Sequence, residues 1–70
     1  MVKIINNTNF CYKELGKLVD SIQWTYQEEA SKKQSFTLRI KYKRISLIIH
    51  IRQMKKGTEW KFDIEEKGGN

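Results

Sequence analysis

Three consecutive segments in the second half of the chain alternate between apolar and polar residues, and this alternation constrains the fold more than any other feature. The segments are 36–42, 45–52 and 60–65. In each, every second residue is Ile, Leu, Phe, Tyr or Trp, and most of the residues between them are charged or polar. Because successive side chains of a β-strand point to opposite faces, each segment predicts a strand with one apolar and one polar face.

Short turns connect these predicted strands. A tight turn at Lys43-Arg44 places apolar residues opposite one another: Tyr42 with Ile45, Ile40 with Leu47, and Leu38 with Ile49. A second turn near Lys56-Gly57 uses the glycine where a positive φ is needed. The three segments therefore predict an antiparallel meander whose apolar face another element must cover.

The first half of the chain supplies that cover. Residues 2–5 predict a short strand, and Thr8 or Asn9 is a candidate helix cap. Apolar residues then recur every three or four positions, which predicts one face of an amphipathic helix: Cys11, Leu15, Leu18, Val19, Ile22 and Tyr26. The fold class is thus α+β, a two-layer β-α-β-β-β domain with one helix on a mainly antiparallel sheet of three to four strands. It spans residues 1–66, followed by a frayed tail at 67–70.

Residues 22–28 allow a second interpretation. Ile22, Trp24 and Tyr26 alternate with polar residues, a pattern typical of a strand. We favour a continuous helix, because its 3.6-residue periodicity runs through the whole region. In a helix Trp24 points away from the apolar stripe and is a candidate protein-interface anchor; in a strand it belongs to the core.

The positive charge of the chain is concentrated in its middle third. Residues 36–56 hold seven lysines and arginines and no acid, within a chain that has 14 basic and eight acidic residues in all. Cations spaced along strands can follow phosphates, so we expect a small non-enzymatic module that contacts nucleic-acid phosphates through the hairpin 37–56. Its candidate contacts for nucleic acid, or for an acidic protein surface, are Arg39, Lys41, Lys43, Arg44, Arg52, Lys55 and Lys56.

An exposed sheet face must be polar in any case, so the charge has a purely structural interpretation as well. The last strand is expected to bring Glu59, Asp63 and Glu65 opposite Arg52, His50 and Ile48, or opposite their neighbours. The row of Arg39, Lys41 and Lys43 lies on the strand further from these acids and is expected to stay free. The aromatic residues fall on the buried face, which favours backbone contact with little reading of sequence.

The composition also allows a different function. Lysine outnumbers arginine eleven to three and there are nine isoleucines, residue types with A/T-rich codons. A small chain of this kind also fits a protein-binding regulator or inhibitor of phage or mobile-element type, acting on a host protein or nucleoprotein complex. Trp24 and Ile48, an apolar residue on the polar face, are its candidate contacts. Open sheet edges predict a homodimer or a higher oligomer.

Catalytic and metal chemistry find little support in the residues. Cys11 is the single cysteine, and it is predicted on the helix, remote from the single histidine, His50. The string Glu65-Glu66-Lys67, after Asp63, resembles half of a metal-dependent nuclease site, but the fold supplies no partner acid except Asp20. We expect no enzyme activity, no cofactor and no metal. The longest apolar run is too short to span a membrane, so a cytoplasmic protein is expected.

Overall fold

A four-stranded sheet with two helices packed on one face is the architecture of residues 2–54 and 59–67, which the computed structural model describes. This is the α+β class that the sequence predicts. The elements follow the order β-α-α-β-β-β: β1 (Val2–Asn7), α1 (Tyr12–Thr25), α2 (Gln27–Lys32), β2 (Ser35–Tyr42), β3 (Ile45–Met54) and β4 (Glu59–Glu66).

The order of the strands across the sheet is β1-β4-β3-β2. Strands β2, β3 and β4 form the predicted antiparallel meander, and β1 adds to it in parallel with β4. The helices therefore carry the chain from one edge of the sheet to the other. Both β1 and β2 have an open edge, and self-association through such an edge stays a prediction.

The core lies between one stripe of α1 and the inner face of the two central strands. Every inward residue in the middle of β3 and β4 is buried, and so are three residues of α1 and one of α2: Leu47, Ile49, Ile51, Trp60, Phe62, Ile64, Leu15, Val19, Ile22 and Ala30. Burying each large apolar side chain contributes roughly 1.5–3 kcal/mol. The apolar residues of edge strand β2 pack against this cluster but remain half-buried.

The start of α1 differs from the prediction. The helix begins at Tyr12 after Cys11, not after Thr8 or Asn9. Thr8 is occupied in the preceding loop, where its N–H and its hydroxyl both donate to Asn6 Oδ1, at 2.9 and 2.6 Å, and its Oγ1 accepts from the Phe10 N–H at 3.1 Å. Cys11 is exposed and does not belong to the buried stripe, because it precedes the helix.

Residues 22–28 are helical, so the interpretation as an extra strand is wrong. The helix is interrupted once, at Tyr26, whose φ of −110° and ψ of 27° separate α1 from α2. Helical hydrogen bonds nevertheless continue on both sides of Tyr26, because its N–H donates to the Ile22 carbonyl and its carbonyl accepts from the Ala30 N–H. The Tyr26 ring packs against Phe36 of β2, with the centroids 6.0 Å apart.

The turn between β2 and β3 is the predicted two-residue turn. Tyr42 lies opposite Ile45, and the register continues with the predicted pairs along both strands. Lys43 and Arg44 have φ values of 49° and 70°. Positive φ at both central positions is the requirement of a type I′ hairpin turn, where Asn-Gly is preferred. Neither Lys nor Arg favours this region, so the two cations occupy a strained turn.

The other predicted turn, near Lys56-Gly57, lies outside the described residues, as does most of the predicted tail. Its first residue, Lys67, is held in place, because its N–H donates to the Ser46 carbonyl at 2.8 Å. Residues 68–70 lie outside the described part of the chain.

The strain at Arg44 generates a stability prediction. Arg44→Gly should raise the free energy of unfolding by about 1 kcal/mol, because glycine adopts a positive φ without the clash of a Cβ atom. In a domain of this size that corresponds to a rise in Tm of roughly 4–8 °C, measured by circular dichroism. Arg39→Gly, in the extended backbone of β2, is the control and should lower Tm. An unchanged or lower Tm for Arg44→Gly would contradict the prediction.

Candidate nucleic-acid interface

The sheet has an outer face that neither helix covers. The position of each basic residue on this face determines whether it can contact a partner. Alternate positions of each strand point outward: Lys3, Ile5 and Asn7 on β1, Ser35, Thr37, Arg39 and Lys41 on β2, Ser46, Ile48, His50, Arg52 and Met54 on β3, and Glu59, Lys61, Asp63 and Glu65 on β4. We call this surface the outer face. Apart from the His50 imidazole it carries no aromatic ring among the described residues.

Three cations lie side by side across one end of the outer face. Arg52 of β3 is directly opposite Lys61 of β4, and Lys61 is directly opposite Lys3 of β1. We call these three residues the cationic row. None of them forms an ion pair with a described residue, since the two ion pairs of the described chain join Glu14 to Lys43 and Glu29 to Lys33. Like charges directly opposite each other on adjacent strands are destabilising.

The register corrects the prediction for Arg52. Asp63 lies opposite His50 and Glu65 lies opposite Ile48, as predicted. Glu59, however, lies opposite Met54, so Arg52 faces Lys61 and not an acid. The alternation of β4 already assigns Lys61 to the polar face. The pairing of β1 with β4 then places Lys3 on the same face, opposite Lys61. Both were missed because the last strand was treated as purely acidic and the first strand as separate.

A second group of cations lies at the opposite end of the outer face. Arg39 and Lys41 of β2 line a shallow depression of about 240 Å³ together with Ser46, Ile48 and Lys67. The Lys67 N–H donates to the Ser46 carbonyl from the β4 side, and Lys41 pairs with Ser46 from the β2 side, so the two lysines flank β3 at the same level. We call Arg39, Lys41 and Lys67 the hairpin cluster.

Two carboxylates separate the cationic row from the hairpin cluster. Asp63 Oδ1 accepts a hydrogen bond from Asn7 Nδ2 at 3.3 Å, and Glu65 lies one position further along the same side of β4. Ser35, beside the row, and Lys41, in the cluster, are six residues apart on β2, about 20 Å at the usual rise of a strand. The outer face therefore has a group of cations toward each end, with Glu59 next to the cationic row on β4, and a less positive middle.

Lys43 does not lie on the outer face, contrary to the prediction. Its Nζ pairs with Glu14 Oε2 of the first turn of α1, and the Tyr42 hydroxyl donates to the same oxygen at 3.4 Å. The ring of Tyr42 packs edge-on against Phe10 at 5.2 Å. The turn is thus tied to the start of the helix, and Lys43 would have to leave Glu14 to contact a partner.

This tie changes the protonation behaviour of both groups. The hydrogen bond from Lys43, followed by its charge, lowers the pKa of the Glu14 carboxyl below its ordinary value of 4.5. In return, the Glu14 carboxylate raises the pKa of the Lys43 ammonium. Arg44, the second turn residue, is exposed, whereas the candidate contacts Lys55 and Lys56 lie outside the described residues.

The two candidate protein contacts lie on opposite sides of the molecule. Trp24 is 79% exposed on α1, as the helical interpretation predicts. Ile48 is half-buried on the outer face, between Arg39 of β2 and Glu65 of β4. A single partner surface of ordinary size would contact one of them and not both.

The nuclease-like string is not assembled into a site. Glu66 Oε2 accepts a hydrogen bond from the Asn9 N–H at 2.7 Å, which ties it to the loop before α1. Within the described residues no three His, Cys, Asp or Glu side chains are grouped as metal binding requires. In the same part of the chain no helix has the length and hydrophobicity to cross a membrane.

Comparison of the chain with protein-family models, with curated proteins and with solved structures finds no match.

The Glu14–Lys43 pair generates a prediction of pH dependence. Because the pKa of Glu14 is lowered in the folded chain, its contribution to stability is complete above the ordinary carboxyl value of 4.5 and is lost as the pH falls through the lowered value. Glu14→Gln should therefore lower Tm at neutral pH, and the difference from the original chain should shrink as the pH falls below 4.5.

Thermal melts between neutral pH and pH 3 measure this difference. Glu28→Gln is a suitable control, because Glu28 is exposed and forms no ion pair with a described residue. A Tm difference for Glu14→Gln that is independent of pH would show that the pair does not act through its charge.

Proposed function

We propose that the protein is a small non-enzymatic module that binds the phosphate backbone of nucleic acid through its outer face, without strong sequence specificity. The observation that carries this proposal is the set of cations that lack described ion-pair partners: the cationic row at one end and Arg39 and Lys41 of the hairpin cluster at the other. Surface cations without internal partners are available to replace the counterions of a polyanion.

The strained turn supports the same proposal. Arg44 holds a positive φ that costs stability, yet its side chain has no described contact that would compensate for the strain. Backbone strain of this kind is found most often at functional sites. An exposed cation at the turn of the hairpin can contact a phosphate, in addition to the predicted contacts Lys55 and Lys56.

The residue types of the outer face favour backbone contact over base recognition. Bases of a single strand are held mainly by stacking on aromatic rings placed among cations. The Tyr, Phe and Trp residues of the sheet lie on the inner face, where Trp60 and Phe62 stack on each other with their centroids 5.8 Å apart. The outer face thus offers charge and hydrogen-bond donors with little means of reading sequence.

Salt dependence is the direct test of this proposal. With about five phosphates contacted, the affinity for duplex DNA should fall by two to three orders of magnitude between about 50 and about 200 mM salt. Fluorescence anisotropy with labelled duplex and single-stranded DNA and RNA measures it, and unrelated sequences should bind alike. Absence of binding at the lower salt concentration would refute the proposal.

Charge reversal locates the surface. Lys41→Glu, and separately Arg39→Glu, should weaken binding about tenfold or more at low salt and reduce the slope of the salt dependence. Lys13→Glu is the matched control, because Lys13 is an exposed lysine at the start of α1, where an acid is compatible with the helix dipole. Equal losses for Lys13→Glu and Lys41→Glu would show that net charge, and not the outer face, determines binding.

A second candidate function rests on Trp24. A tryptophan 79% exposed on a helix is typical of an interface anchor, which favours a protein-binding regulator or inhibitor, of the type that phages and mobile elements use, acting on a host protein or nucleoprotein complex. A photo-cross-linker placed at position 24 should then capture one defined partner.

The control for this second candidate is a cross-linker at Tyr12, the other exposed aromatic residue of α1, which is 61% exposed. Trp24→Ala should abolish partner binding without lowering Tm, because the side chain contributes little to the core. A large loss of Tm would show that Trp24 has a structural role instead.

A further inference from the structure

A shallow basin lies beside the cationic row on the outer face. Its volume is about 400 Å³, and the side chains that define its chemistry are Ser35 and Thr37 of β2, His50 and Arg52 of β3, and Lys61 and Asp63 of β4. It lies at the end of the sheet where β2 and β4 begin. The hairpin cluster is at the other end of the same face.

The electrostatics of the basin require an explanation. Lys61 has a cation directly opposite it on both neighbouring strands, Arg52 on one side and Lys3 on the other. The described chain supplies no ion-pair partner for any of the three, and Asp63 accepts a hydrogen bond from Asn7. An anion bound over the row would convert this repulsion into attraction.

The other side chains of the basin are suited to an oxyanion. Arg52 can donate two parallel hydrogen bonds to a phosphate, and Ser35 lies opposite Arg52 on the neighbouring strand. Thr37 Oγ1 and His50 Nδ1 are hydrogen-bonded at 3.2 Å. When Thr37 donates in this bond, the neutral imidazole carries its proton on Nε2, which is then a donor for a ligand.

The charge of the row distinguishes between two kinds of phosphate. An internal phosphodiester of a nucleic acid carries one negative charge, whereas a terminal phosphomonoester carries between about 1.5 and 2 at neutral pH and presents three acceptor oxygens. Arg52 and Lys61 line the basin together with Asp63, and Lys3 lies directly opposite Lys61 on β1, outside the lining. Two lining cations with a third beside them match the dianion better than the monoanion. The basin is also open at the margin of the sheet, where a strand end can enter it.

We propose that the basin binds the terminal phosphomonoester of a nucleic-acid strand whose internal phosphates contact the hairpin cluster. This inference rests on the proposed function and adds a preference for phosphorylated ends. Along β2, Ser35 of the basin is four residues from Arg39 and six from Lys41, about 13 and about 20 Å at the usual rise of a strand, so one strand of a few nucleotides can reach both sites.

Short oligonucleotides of one sequence, ending in 5′-phosphate, 3′-phosphate or hydroxyl groups, test the proposal. Anisotropy should show binding about tenfold tighter for one phosphorylated end than for hydroxyl ends. Arg52→Gln and Lys61→Gln should remove that preference. The matched variant Lys41→Gln should weaken all the oligonucleotides alike and keep the preference.

The outcomes separate the two proposals. Equal binding of phosphorylated and hydroxyl ends would overturn the phosphomonoester site and leave the proposed function standing. A preference that persists in both Arg52→Gln and Lys61→Gln would overturn the assignment to the basin. Absence of all oligonucleotide binding would overturn the proposed function together with this inference.

Thermal melts provide an independent readout and distinguish a strand end from free phosphate. At constant ionic strength, a phosphorylated oligonucleotide should raise the Tm of the original chain but should raise that of Lys61→Gln less. A rise of equal size with inorganic phosphate, and no additional rise with the oligonucleotide, would overturn the strand-end proposal in favour of a site for small phosphates. Melts without ligand at low salt confirm that Lys61→Gln folds, and they should show a slightly higher Tm because the repulsion is reduced.

Discussion

The contact between one stripe of α1 and the inner face of β3 and β4 is the interaction on which the rest of the structure depends. A sheet of four strands has two faces, but the two helices of the described residues cover only one of them. Leu47, Ile49 and Ile51 are buried against that cover, and the outward residues between them meet solvent. The location of the open, polar face is therefore a direct consequence of where the core forms.

Much of the sheet could be predicted from the alternation of apolar and polar residues alone. Alternation predicts the strands β2, β3 and β4, and a two-residue loop determines the register of β2 against β3, because shifting by one residue would turn every apolar side chain outward. The same argument fails for β3 against β4. Parity alone allows shifts of two residues, so it could assign Lys61 to the outer face but could not place it opposite Arg52.

Other features lay beyond sequence patterns because they depend on contacts between distant residues. The helix was predicted to start too early, because Thr8 forms its hydrogen bonds with Asn6 and Phe10 in the loop before α1 and does not cap the helix. Lys43 was assigned to the outer face because strand parity was extended into a turn, where it no longer applies. No pattern in the sequence indicates that Glu14 is the partner of Lys43. The two residues meet only because the hairpin turn packs against the start of α1. A basic segment in a sequence therefore overstates the free charge on the folded surface, and residues outside that segment, here Lys3, Lys61 and Lys67, restore part of it.

The parallel pairing of β1 with β4 also has a consequence for the order of folding. The β2–β3 hairpin closes a loop of two residues, whereas Val2 finds its partner at Trp60, far along the chain. Closing so long a loop costs more entropy and is slower, and non-local strand pairing of this kind is associated with slow folding. During synthesis β1 leaves the ribosome before β4 and must therefore remain unpaired until β4 has emerged. Of the four strands in the described residues, β1 waits longest with an exposed edge, and in that period it is open to wrong pairing with another chain.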